Sequence, residues 1–149
     1  MTRPVRSTGY VAWQIGEIAA SRIERTLRPF QLTLAQYSAL AQAVLEQGIS
    51  SATAARRASI TPQSMGSAVN RLIDRELLER RTTPGDRRTG RLYATEAGLR
   101  LATEARTAVD LTHAEALQVL TPAEQGQAHS LLLKLLKSLN PSAMANYTA

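Results

Sequence analysis

Apolar positions recur at helical spacing from residue 10 to residue 27, at Val11, Ile15, Ile18, Ala19, Ile23 and Leu27. They predict an amphipathic helix behind a flexible start over residues 1–8. Pro29 ends it. Thr33 with Gln36 three residues on is a capping-box pattern, and Tyr37, Leu40, Ala41 and Leu45 give the helix it opens an apolar face. Gly48 closes that helix. An Ala-rich stretch over 51–58 predicts a short helix. Thr61 then fits an N-cap and Pro62 the first helical position, where no N–H is needed. Over 62–75 the residues Met65, Val69, Leu72 and Ile73 fall on one side. Two helices joined by so short a turn make a helix-turn-helix.

The period then changes. Two short extended runs, over 78–83 and 87–94, flank Pro84-Gly85-Asp86 and predict a β-hairpin. Thr95 caps a long helix over 96–119. Thr121-Pro122-Ala123-Glu124 joins an N-cap, a first-position proline and a capping-box glutamate, and opens a last helix that runs to Leu139 before Pro141. The fold class is mainly α with a small β-hairpin wing: a winged helix-turn-helix with N- and C-terminal dimerisation helices. Residues 1–30 form the N-terminal dimerisation helix and 31–98 the winged lobe. Residues 99–149 form the long connecting helix and the C-terminal dimerisation helix. The end helices carry more apolar surface, including Leu131, Leu132, Leu135, Leu136 and Leu139, than so small a lobe can cover. A second copy would cover it, so a homodimer is expected rather than a monomer folded back on itself.

Charge sharpens this picture. The net charge is +6. Between residues 56 and 91 stand nine arginines against four acids, so five of the six net charges fall in about a quarter of the chain. The two lysines, Lys134 and Lys137, lie elsewhere. A localised cationic patch points to a polyanion, and the planar fork of Arg suits phosphate and guanine. There is no cysteine, which removes disulfides and thiol-based metal or redox sites. No apolar run approaches a membrane span or a signal peptide, so a cytoplasmic protein with no membrane partner is expected. His113 and His129 are too few and too far apart for a triad or a metal site, and no phosphate-binding Gly loop occurs. Neither an enzyme nor a cofactor is expected.

The helix over 62–75 would lie in the major groove of double-stranded DNA with its N-terminal residues nearest the bases. Those are Thr61, Pro62, Gln63, Ser64 and Ser67, with Asn70 and Arg71 one turn further on. Gln can pair with adenine through two hydrogen bonds, and Ser accepts either partner. Arg75, Arg80 and Arg91 add cationic reach, and Arg87 and Arg88 stand at the hairpin tip, where arginine suits a narrow minor groove. Asp86 beside them reads as a turn cap or as a holder of a neighbouring arginine. Two-fold symmetry predicts a pseudo-palindromic operator with half-sites about one helical turn apart.

Several segments resemble the MarR family of bacterial regulators: Ile60-Thr61-Pro62-Gln63-Ser64-Met65, Val69-Asn70-Arg71-Leu72, Leu77-Leu78-Glu79-Arg80, Pro84-Gly85-Asp86-Arg87-Arg88 and Thr95-Glu96-Ala97-Gly98. The run Leu32-Thr33-Leu34-Ala35-Gln36 is similar to the family's second helix. The resemblance implies a homodimer that represses nearby genes and is relieved by a small aromatic or phenolic effector. That effector would sit between the dimerisation helices and the winged lobe, with Trp13 and Tyr37 as candidate lining residues. Aromatics at helical spacing are also ordinary core residues. Two positions depart from the family pattern: Glu76 stands where glycine is usual, and Asn70 where Asp is common. Glu76 either accepts a left-handed conformation, at about 1 kcal/mol, or the helix ends differently. Two other functions compete with the regulator: a winged helix used as a protein-interaction module, and a small-molecule-binding protein whose basic surface is incidental.

Overall fold

The computed structural model describes residues 7–85 and 90–148. Its order is α1 (Thr8–Leu27), α2 (Leu34–Leu45), α3 (Ser51–Ala58), α4 (Pro62–Asp74), β1 (Leu78–Arg81), β2 (Arg91–Ala94), α5 (Glu96–Leu117) and α6 (Pro122–Leu139). Short 3-10 segments follow α1 (Arg28–Phe30) and α6 (Pro141–Asn146). None of the described helices is long and apolar enough to cross a membrane. The helix starts follow their caps. Thr33 and Thr121 make reciprocal capping boxes with Gln36 and Glu124, and Ser50, Thr61 and Thr95 each accept from a backbone N–H three residues on. Ser7 does the same for Tyr10, so α1 begins two residues before its apolar periodicity does.

α2 packs against α3, α4 and α5, and α1 lies along α5. Leu27, Leu40, Ile49, Met65, Val69, Leu72, Leu78 and Leu92 are fully buried between them. β1 and β2 pair antiparallel, with Leu78 opposite Ala94 and Arg81 opposite Arg91. Gly48 lies past the end of α2 at φ 88°. Its N–H donates to the Leu92 carbonyl at 2.8 Å, and the Leu92 N–H donates to Ile49 at 2.9 Å, so a short bridge extends the hairpin.

Helix ends supply the less expected feature. Gln31, Ser59 and Glu76 all have left-handed backbone, at φ 53°, 54° and 57°. Each sits just past a helix whose last carbonyls accept the paired bonds of a Schellman turn, as Leu77 N–H to Leu72 O and Glu76 N–H to Ile73 O do after α4. Each joint is also gripped by a distant side chain. Arg75 donates to the Gln31 carbonyl at 2.6 Å, Asn140 to the Ser59 hydroxyl at 2.8 Å, and Thr95 to the Glu76 carbonyl at 2.7 Å. Non-glycine residues persist in this conformation when the surroundings over-determine it.

Candidate nucleic-acid interface

The apolar stripe of α4, Met65, Ala68, Val69 and Leu72, faces the core. That leaves Gln63, Ser64, Ser67, Asn70 and Arg71 exposed. No carboxylate occurs on this helix before Asp74 in its last turn. The Thr61 hydroxyl accepts from the Ser64 N–H at 3.1 Å and donates to the Ser64 hydroxyl at 3.0 Å, which fixes the first turn. The N-terminal end of the helix dipole adds partial positive charge there. A groove of about 440 Å³ runs beside this face between Thr33, Ala35 and Gln36 of α2 and Gln63, Ser64, Ser67 and Arg71 of α4. Thr33 and Gln36 were legible only as a helix start. Their place beside the reading face depends on how α2 crosses α4.

In the hairpin, cross-strand partners share a face. Glu79 and Arg81 stand with Tyr93 on the outer face, where Arg81 pairs with Glu79 and its guanidinium lies 4.1 Å from the centre of the Tyr93 ring. Arg80 is opposite Leu92 on the inner face. Its stem covers Gly90, where an added Cβ would stand 2.5 Å from Arg80 Cγ. Its Nη2 donates to Asn70 Oδ1 at 3.4 Å, so helix and wing are joined by two of the expected DNA-contacting residues. Arg91 is exposed opposite Arg81. Arg87 and Arg88, with Asp86, lie outside the described residues.

Arg75 is turned elsewhere. Its two terminal nitrogens donate to the carbonyls of Gln31 and Phe30, at 2.6 and 3.3 Å. This ties the C-terminal end of α4 to the corner between α1 and α2. The Arg75 fork is engaged by these two carbonyls.

The expected aromatic pair is divided. Tyr37 lines a cleft of about 450 Å³ between α2 and α5, with Ala41, Val44, Leu45, Ala102, Thr103 and Arg106. Burial, then the charge of Asp110, pushes the Tyr37 hydroxyl above its ordinary value, and Arg106 pulls the other way. The phenol is therefore a neutral donor at neutral pH. Trp13 does not line this cleft. It is 58% exposed on α1, tilted against Tyr10 with ring centres 5.5 Å apart. The family resemblance suggested the shared pocket; in the single chain Trp13 lies on the exposed side of α1.

Residues 30–89 match the model of the MarR family. The HTH-type transcriptional repressor Rv2887 of Mycobacterium tuberculosis is 31% identical over 127 residues, covering 85% of this chain and 91% of that protein. The chain belongs to the MarR family. Among solved MarR structures, Rv2887 in complex with salicylic acid superposes with a TM-score of 0.73 at 30% identity, covering 90% of this chain and 97% of that one. CouR of Rhodococcus jostii RHA1 bound to p-coumaroyl-CoA gives 0.76 at 25% identity, covering 87% and 92%. Membership makes this chain a winged-helix transcriptional regulator.

Within the family frame, the two unusual positions acquire physical roles. Asn70 keeps the acceptor that Arg80 uses while removing a negative charge from the reading face. Glu76 accepts the left-handed conformation, and its carbonyl is held by Thr95. Glu76→Gly should therefore raise stability by up to about 1 kcal/mol, read as a higher urea midpoint at unchanged slope. A lower midpoint would mean that the joint stores no strain.

Proposed function

We propose that this regulator is a homodimeric repressor that occupies a pseudo-palindromic operator in double-stranded DNA and is released by a small aromatic acid. The observation that carries the reading is the exposed, carboxylate-free stretch of α4 beside a cationic wing. In this assignment Gln63, Ser64 and Ser67, set by Thr61 and Pro62, read bases. Arg71 and Arg91 neutralise phosphate, as do Arg87 and Arg88, which lie between the two strands in sequence. Asn70 and Arg80 hold the angle between helix and wing, and Arg75 places α4. The division of labour follows the chain: the N-terminal helix of residues 1–30 and the C-terminal helix α6 dimerise, α5 connects α6 to the lobe, and 31–98 read DNA.

The effector belongs in the α2–α5 cleft, which offers an apolar wall, the Tyr37 donor and the Arg106 guanidinium. Arg106 is 3.6 Å from Asp110 in an exposed pair, a contact weak enough to exchange for a ligand carboxylate. An aromatic ring bearing a carboxylate fits that set. A ligand wedged between α2, which carries the lobe, and α5, which leads to the dimer helices, would change the separation of the two reading helices.

The test is binding to genomic fragments selected by the wild-type protein. Log affinity should fall linearly with log salt, because bound phosphates release counterions. Arg71→Ala should weaken all duplexes alike and reduce the slope by about two, one phosphate per subunit of a dimer. Salicylate should release the wild type and fail to release Arg106→Ala. Binding that ignores salt would sink the DNA reading and favour a protein-interaction module.

A further inference from the structure

The chain does not stop at Pro141. The 3-10 segment Pro141–Asn146 leaves the end of α6 and packs against α3, the first helix of the helix-turn-helix, with Ala143 buried. Two asparagines stitch it there. Asn140 Nδ2 donates to the Arg56 carbonyl and to the Ser59 hydroxyl, both at 2.8 Å. Asn146 Nδ2 donates to the Arg57 carbonyl at 3.2 Å, and its Oδ1 accepts from Gln42 Nε2 at 2.9 Å. Gln42, 6% exposed, lies on the core side of α2. Arg57 is itself held at 2.6 Å by Glu46 at the end of α2.

These bonds fall at a mechanically sensitive place. The last carbonyls of a helix lack intrahelical partners, and the two asparagines supply donors to those of α3. Ser59 is the left-handed joint at which the chain turns from α3 toward Thr61, the N-cap of α4. By contrast, α6 has no buried residue of its own in the single chain. Without the segment, α6 would be connected to the reading helix through α5, which itself packs on α1 and α2. With it, the connection closes on a second side. A body attached at one place can swing, and one attached at two separated places cannot.

We infer that the C-terminal segment is a positioning element for operator reading, in which Asn140 and Asn146 fix the α6 arm to the α3–α4 turn and so set the half-site spacing that the two reading helices accept. This rests on the dimeric repressor reading above. Neither asparagine touches DNA in this scheme.

The experiment uses the full chain, Asn140→Ala, Asn146→Ala, the double variant and a chain ending at Leu139. Each is tested against duplexes whose half-sites are moved apart or together in single base-pair steps. Sedimentation should show dimers throughout, and the salt slope should match wild type, because no phosphate contact is removed. The double variant should lose about tenfold of the wild-type preference for the best spacing, the scale of one mismatched base pair. Asn146→Asp should behave like Asn146→Ala, since a carboxylate cannot donate to the Arg57 carbonyl. A purely structural role would lower the melting temperature and weaken every duplex equally. If the single and double variants keep the wild-type spacing preference, the inference is wrong, whatever their stability. Wild-type protein that binds DNA in a salt-dependent way without any spacing preference would instead overturn the two-fold operator reading, and this inference with it.

Discussion

Leu135→Asp should give a monomer that keeps its helix content and loses operator affinity by about two orders of magnitude or more, the range expected when avidity is removed. Leu135 is 54% exposed in the single chain, and Leu131, Leu132 and Leu139 beside it on α6 are also open. On α1, Tyr10, Val11, Trp13, Ile15 and Ile18 present a second open apolar face. Covering a leucine fully is worth about 1.5–3 kcal/mol. In a two-fold interface the substitution appears twice, and each copy also places a carboxylate in the contact. The lobe core does not include Leu135, so folding within the chain should survive. Sedimentation equilibrium gives the subunit state. Anisotropy on full operator and on an isolated half-site separates lost avidity from lost reading. The half-site should bind the variant and the wild type alike at low salt. The lone Trp13 supplies a second readout, because its emission should move to the red if dimerisation normally covers it. A variant that remains dimeric with wild-type affinity would place the subunit contact elsewhere.

The second large effect is on stability. Gly98→Ala should destabilise the chain by about 3 kcal/mol, at the upper end of overpacking costs. That corresponds to a melting temperature lower by roughly 10 °C. A Cβ at Gly98 would stand 2.0 Å from the Leu77 carbonyl oxygen and 3.3 Å from a Leu40 methyl carbon. The nearest atom is backbone, so no rotamer change relieves the contact. That carbonyl also accepts from the Thr95 N–H at 3.1 Å, while Gly98 N–H donates to the Thr95 hydroxyl at 3.1 Å. The Thr95-Glu96-Ala97-Gly98 run is thus a latch that lets α5 start directly over the exit of α4. Moving it would disturb the Glu76 joint and the reading helix with it. Gly66→Ala is the counterpart, since its Cβ would meet nothing within 4 Å inside α4. It should stabilise by about 0.5–1 kcal/mol. Equal effects at the two glycines would contradict the close approach at Leu77.

The latch shows why a motif can be read before its reason is known. Thr95 was legible as a cap because its bond is to a residue three positions away. Gly98 was legible only as part of a family pattern, because its neighbour is Leu77, across the hairpin in sequence. Arg75 illustrates the same limit in the other direction. As one arginine in a basic stretch it looked like a DNA contact, and its partners are carbonyls more than forty positions earlier in the chain. Trp13 was a candidate lining residue through the family resemblance, and in the single chain it is exposed on α1.

Local rules therefore account for most of the framework. The caps at Thr33, Thr61, Thr95 and Thr121 placed four helix starts, and the change of period at Leu78 placed the wing. The charge balance between residues 56 and 91 located the cationic face. All of these arise from interactions within a few residues, or from sums over a segment, which a linear chain displays directly. Tertiary structure alone decided what holds the frame at its joints: Arg75 on Gln31, Asn140 on Ser59 and Thr95 on Glu76. It also divided Tyr37 from Trp13 and seated the segment after Pro141 on α3. Such contacts join positions far apart in sequence, and the choice among many equally polar partners is made only when the core brings particular helix ends together.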